Sequence, residues 1–123
     1  MLGTVRPRVL LADDYPGILT ALTRLLSPDH DVVGSVSDGS AVLEAALRLR
    51  PDVVLLDLNM SNVNGLESCR RIMEAMPQIK VIVLTATLDV DVMQKALAVG
   101  AYAFVEKQAG PDCLLSAIRE ACG

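Results

Sequence analysis

The chain has 123 residues, with 11 Lys and Arg against 15 Asp and Glu for a net charge of −4, and 52% of it is apolar. This length supports one domain, the apolar content excludes disorder, and the longest charge-free run, the ten residues from Ala96 to Val105, falls short of the roughly 18 needed to span a bilayer. An acidic balance and only three aromatics (Tyr15, Tyr102 and Phe104) leave neither a basic footprint nor a stacking platform for nucleic acid.

The N-terminus carries Arg6 and Arg8 but only a four-residue apolar run, Val9 to Ala12, before Asp13. It therefore lacks the apolar region of a secretory signal, and a cytoplasmic location is expected. Val9 to Ala12 reads as a first strand, followed at once by Asp13 and Asp14. Ile18, Leu22, Leu25 and Leu26 then fall at helical spacing. Val32 to Val36 reads as a second strand, with Val42, Ala45, Ala46 and Leu49 on the helix after it. Val53 to Leu56 forms the third and runs into Asp57, and Leu66, Cys69, Ile72, Met73 and Met76 mark the third helix. Val81 to Leu84 leads to Thr85, ahead of a helix bearing Val92, Met93, Ala96 and Leu97. Ala101 to Val105 leads to Lys107 and a last helix with Leu114, Leu115, Ile118 and Cys122. Pro16, Gly39, Pro51, Gly65, Pro77, Gly100 and Gly110-Pro111 stand at the joints. Apolar residues on consecutive positions suit parallel strands covered by helices on both faces. The alternation therefore predicts an α/β domain with one open parallel sheet and right-handed crossovers.

In such a sheet all the strand ends share one edge, where ligands bind beside the point at which strand order reverses. Asp13, Asp14, Asp57, Thr85 and Lys107 all follow strands, so the topology gathers them. Two like charges about 4 Å apart repel by roughly 4 kcal/mol at an effective dielectric of 20. Three clustered aspartates thus need a cation or raised pKa values. Mg²⁺ takes oxygen ligands, keeps several waters and commonly uses one or two carboxylates plus a phosphate oxygen. Each residue also has a plainer reading: an aspartate after a strand serves as a helix N-cap, a threonine suits a strand end, and a lysine suits a surface. The constellation carries the inference. Cys69, Cys113 and Cys122 have no C-x-x-C spacing and read as structural thiols, and His30 reads as a solvated loop residue.

The segments LLADD, RPDVVLLDLNMSNVNGLE, VIVLTA and GAYAFVEK, in that order, resemble the receiver domain of two-component response regulators, most like the NarL/LuxR group, from Arg8 to Cys122. The resemblance implies a flavodoxin-like (βα)5 doubly wound sheet with strand order 2-1-3-4-5, filling residues 1–123 as one receiver domain with no effector domain in this chain. It implies Asp57 as phosphoacceptor for a sensor histidine kinase or phosphotransfer protein, with Mg²⁺ or Mn²⁺ held by Asp13, Asp14, Asp57 and the backbone carbonyl of Asn59. Thr85 and Lys107 would bind phosphoryl oxygens, Thr85 and Phe104 would form the switch, and the side chains of Asn59 and Thr87 would tune dephosphorylation. Such a domain catalyses its own phosphorylation and dephosphorylation yet is a switch and not a turnover enzyme. Its implied output is transcription through a fused or partner DNA-binding domain, with a homodimer formed on phosphorylation.

Ser61, where the family usually has proline, and Gln108, where proline or an acidic residue is common, depart from the pattern. Three rival readings differ in class. A phosphorylation-independent interaction module is disfavoured by the intact Asp13, Asp14, Asp57, Thr85 and Lys107. A nucleotide or flavin binder would need a phosphate loop after the first strand, and none is present. A free-standing hydrolase would need a general acid in a substrate pocket.

Overall fold

The structure is a computed structural model that describes residues 6–58, 65–86 and 89–122. Its elements follow the order β1 (Arg8–Ala12), α1 (Pro16–Leu26), β2 (Asp31–Val36), α2 (Val42–Leu49), β3 (Val53–Asp57), α3 (Gly65–Ala75), β4 (Lys80–Thr85), α4 (Val90–Ala98), β5 (Ala103–Glu106) and α5 (Pro111–Cys122). The five strands form one parallel sheet in the order β2-β1-β3-β4-β5, the predicted flavodoxin-like arrangement. No described helix is long and apolar enough to cross a membrane.

Alternate side chains of each strand enter opposite layers. Leu10, Ala12, Val54, Leu56, Val81 and Val83 pack against Val42, Ala45 and Ala46 of α2, Cys69 and Ile72 of α3, and Ala96 of α4. Val9, Leu11, Val53, Leu55, Ile82 and Leu84 pack against Leu26 of α1 and Leu114 and Ile118 of α5. All five residues of β3 are buried, whereas β2 and β5, at the edges, are only partly covered. Full burial of a Val, Leu or Ile side chain contributes roughly 1.5–3 kcal/mol, so β1, β3 and β4 are the best anchored part of the sheet.

Two boundaries differ from the sequence expectation. β5 begins at Ala103, two residues into the apolar run, because Tyr102 turns outward with the Lys80 ammonium 5.3 Å from its ring centroid. Asp57 and Thr85 are the last residues of their strands instead of the first beyond them. The N-terminal arginines also have structural roles that hydropathy does not reveal. Arg6 donates to the backbone carbonyls of Ser27 and His30 beyond α1, and Arg8 Nη2 donates to Leu49 O at the end of α2 (2.6 Å). Both meet the unsatisfied carbonyls and partial negative charge of a helix C-terminus. His30 lies on the turn after α1, as expected, but is half-buried, its Nδ1 3.2 Å from Leu26 O.

Burial pushes the Cys69 thiol up to about 11, while Cys113 and Cys122 are exposed. A buried thiol with so little thiolate is a poor nucleophile. Iodoacetamide near neutral pH is expected to add two groups to the native domain and a third only in denaturant, as read by intact mass. Modification of Cys69 in the native state would contradict the packing.

Candidate functional site

The site lies at the C-terminal edge of the sheet. Asp13 follows β1 directly and its backbone N–H donates to Val36 O (3.0 Å), which anchors it to β2. Its side chain is almost fully buried, and its Oδ1 accepts the Tyr15 backbone N–H at 3.0 Å. Tyr15 is the N-cap of α1, without a side-chain capping bond, and Pro16 opens the helix. Neither aspartate is therefore the N-cap of α1. Asp14 is exposed beside Asp13.

Asp57 ends the central strand and is 2% exposed. The next residue, Leu58, donates its N–H to Leu84 O (3.1 Å), tying the Asp57 end of β3 to β4. Close packing also sets where the next helix starts. A Cβ on Gly65, the first residue of α3, would lie 2.6 Å from Leu58 Cα, so only glycine lets the helix start this near the end of β3. Thr85, buried, ends β4 opposite Glu106 of β5. Lys107 opens a short 3₁₀ turn (Lys107–Ala109) immediately after β5.

Asp13, Asp14 and Asp57 each offer a carboxylate oxygen, all within 4.8 Å of one another. Lys107 Nζ lies 2.8 Å from Asp13 Oδ2 and 3.3 Å from Asp57 Oδ2. The contact with Asp13 is an ion contact without a well-aligned hydrogen bond, leaving a buried carboxylate oxygen without a directed donor among the described residues. Desolvation lowers the Lys107 pKa, but the close Asp13 carboxylate and the charge of Asp57 outweigh it and hold the ammonium above the ordinary lysine value. A raised lysine pKa contributes stability in full below the unfolded value, and this is lost as pH rises through the folded value. The lysine therefore keeps its charge through neutral pH and gives up its side of the ion pair only at the alkaline end.

The donor set fits a hard divalent cation: three carboxylates, one with an undirected buried oxygen, and no thiolate or imidazole. Asp13, Asp14 and Asp57 are the residues that could hold Mg²⁺. Asn59, Thr87 and Ser61 lie outside the described residues. Phe104 is half-buried on β5, paired with Val83 and packed against the layer formed with α2, α3 and α4, two strand positions from Glu106. Gln108 is exposed. Sequence reasoning placed Gly65 only as a breaker at a joint, and it did not identify Tyr15, whose N–H orients Asp13.

The response regulator receiver domain profile matches residues 9–119. The chain is 35% identical over 115 residues to the response regulator GacA of Pseudomonas aeruginosa, covering 92% of this chain and 54% of that one. It is 36% identical over 115 residues to the nitrate/nitrite response regulator protein NarL of Escherichia coli, covering 92% and 53%. It thus spans about half the length of these relatives. The crystal structure of a LuxR-family two-component response regulator from Aurantimonas superposes with a TM-score of 0.89 at 26% identity, covering 94% of this chain and 84% of that one. The cluster of Asp13, Asp14 and Asp57 with its Lys107 ion pairs matches the phosphoaccepting, Mg²⁺-binding site of receiver domains.

Asp14→Asn removes one of three mutually repelling charges without touching the two that contact Lys107. It is expected to stabilise the metal-free domain by about 1 kcal/mol, or roughly 4 °C. In wild type, MgCl₂ at a hundredfold excess over Kd is expected to add about 2.7 kcal/mol, and the variant to lose most of that gain. Thermal melts with and without MgCl₂ check both; a destabilised variant, or an equal response to the metal, would contradict the electrostatic account.

Proposed function

Because the chain belongs to the response regulator receiver domain family, we propose that it accepts a phosphoryl group on Asp57 and acts as a phosphorylation-dependent switch. The observation that supports this best is the placement of Asp57 at the buried end of the central strand, beside two further carboxylates and one ammonium. The Asp57 carboxylate attacks phosphorus in line while the bond to the donor nitrogen of a phosphohistidine breaks, giving an aspartyl phosphate and a free imidazole. His30 lies on the turn after α1, just before the N-terminal end of β2, and is no candidate donor. Transfer of this kind needs position and electrostatics more than covalent chemistry from the protein.

Asp13, Asp14 and Asp57, with the backbone carbonyl of Asn59, would hold Mg²⁺ or Mn²⁺, which offsets charge on the transferring oxygens. Lys107 supplies a second positive charge, and the Thr85 hydroxyl donates to a phosphoryl oxygen. Water later cleaves the acyl phosphate, with the side chains of Asn59 and Thr87 tuning its approach. Movement of Thr85 toward the phosphoryl group frees space for Phe104 to turn inward, driven by apolar burial since it has no hydroxyl.

The phosphodonor is a sensor histidine kinase or phosphotransfer protein in the cytoplasm. Residues 1–123 form one receiver domain whose output is transcription, exerted through a fused or partner DNA-binding domain and accompanied by homodimer formation. This output is supported by the names of the relatives, which include a transcriptional regulatory protein, LiaR, of Bacillus subtilis.

Incubation with MgCl₂ and acetyl phosphate is expected to add one phosphoryl group to wild type and none to Asp57→Asn, as read by intact mass. Labelling of both, or of neither, would exclude Asp57 as acceptor. Replacing Asn59 and Thr87 together is expected to change the rate of phosphate release several-fold; an unchanged rate would remove them from the hydrolytic step.

A further inference from the structure

On the face of the sheet covered by α1 and α5, α1 does not close the layer. Leu26 is its one buried residue, whereas Leu22 and Leu25 pack against the layer yet stay partly accessible. Between α1 and α5 this leaves a cleft of about 230 Å³. Leu22 and Leu25 form one wall, and buried Leu84 and Leu114 form the floor. Exposed Ala21 and Gly110 mark the mouth, where a Cβ on Gly110 would meet no atom within 4 Å. An engineered cavity of about 150 Å³ with a comparable apolar lining stays dry and binds benzene, so this cleft has room for a somewhat larger molecule. We propose that it is a regulatory site for an uncharged apolar small molecule, on the scale of an alkylated benzene, whose binding favours the unphosphorylated domain. The regulatory part rests on the reading that Asp57 accepts a phosphoryl group.

The lining sets the class of ligand. Two charged residues border the cleft, Glu106 and Lys107, and neither offers it a free head group. The Lys107 ammonium is engaged with Asp13 and Asp57. Strand alternation sends Val105 toward the cleft and turns the Glu106 side chain to the opposite layer, that of Phe104. A carboxylate or ammonium on the ligand would therefore lose water without gaining a partner. Size favours a small molecule over a docked protein, because a stable protein interface covers about 800 Å² per partner and a cleft of this volume takes little more than an aromatic side chain.

Position sets the consequence. Leu84 directly precedes Thr85, and Val105 and Glu106 directly precede Lys107. The cleft thus rests on the ends of β4 and β5 that carry the two groups assigned to the phosphoryl oxygens, and movement of those ends reshapes its lining. A ligand that fits the cleft of the unphosphorylated chain shifts the population toward that arrangement. By reciprocity, phosphorylation weakens the ligand.

Toluene is the probe, with benzoate and benzylammonium as its charged counterparts. Titrated into the whole methyl-labelled domain, toluene is expected to shift the methyl signals of Leu22, Leu84 and Leu114 saturably. A Kd on the order of 1 mM suits a ligand of so few atoms. The two charged compounds are expected to leave those signals in place. Ala21→Phe, at an exposed helix position, fills the mouth and is expected to abolish the shifts; Ala21→Leu is expected to weaken them and decides the point if the larger side chain prevents folding. With MgCl₂ and acetyl phosphate present, the toluene Kd of wild type is expected to rise about fivefold, the lower end of usual couplings, and that of Asp57→Asn to stay unchanged.

Absent or unsaturable shifts, an equal response to benzoate, or indifference to both Ala21 variants overturns the binding site. A toluene Kd that ignores phosphorylation, with intact mass showing the label in place, overturns the regulatory role. If intact mass shows no label, the phosphoacceptor reading falls and the coupling falls with it, while the methyl titration still decides whether the cleft binds.

Discussion

Repulsion among three carboxylates whose oxygens lie within 4.8 Å of one another is the constraint that organises the C-terminal edge of this sheet. At an effective dielectric of 20, each pair near 4 Å costs about 4 kcal/mol, a large fraction of the 5–15 kcal/mol that typically holds a domain folded. The fold tolerates the arrangement because Lys107, from the far side of the sheet, contacts two of the three. Only a parallel sheet brings such partners together: the ends of β1, β3, β4 and β5 all face the same way, although Asp13 and Lys107 are separated by most of the chain.

The distribution of burial across the sheet divides the site into fixed and adjustable parts. Asp13 and Asp57 follow or end β1 and β3, whose apolar residues are fully buried and whose helical layers press from both sides. Lys107 and Phe104 belong to β5 and its exit, a four-residue edge strand whose side chains are all partly accessible. Regions with fewer buried contacts open at lower free energy. The carboxylates are therefore held in register by the core, while the groups that respond to them sit where displacement costs least. Gly65 and the bond from Leu58 to Leu84 fix the Asp57 end of β3 against α3 and β4.

The strands and helices were legible because hydrophobic runs and helical periodicity agreed with the breakers at each joint. Val53 to Leu56, apolar at every position, signalled the doubly covered central strand. Strand order was not legible from periodicity, which says nothing about neighbours; it came from the resemblance of LLADD and its companion segments to receivers. The start of β5 was misjudged because Tyr102 counts as apolar in a run, yet its ring offers a face to the Lys80 ammonium and an edge to water. Membership of the site followed from strand-end position. Its internal connections did not: that Lys107 reaches Asp13 as well as Asp57, or that Tyr15 holds Asp13 by a backbone bond, depends on side-chain direction after the strand ends.

These connections also bear on how a switch of this kind is driven. Moving a two-state equilibrium from 1:99 to 99:1 takes about 5.5 kcal/mol, and charge-assisted hydrogen bonds contribute roughly 1.5–3 kcal/mol each. Two new bonds to a phosphoryl group, from Thr85 and Lys107, would suffice if both were absent beforehand. Lys107 already contacts Asp57 in the unphosphorylated chain, 3.3 Å away. Its contribution is then only the difference between a carboxylate partner and a phosphoryl partner. On the proposed reading, the remainder would fall to Thr85 and to whatever apolar area half-buried Phe104 gains, at about 25 cal/mol per Å². On that reading a pre-formed lysine contact would trade driving force for a pre-positioned charge, and the conformational response would be drawn chiefly from Thr85 on β4 and Phe104 on β5.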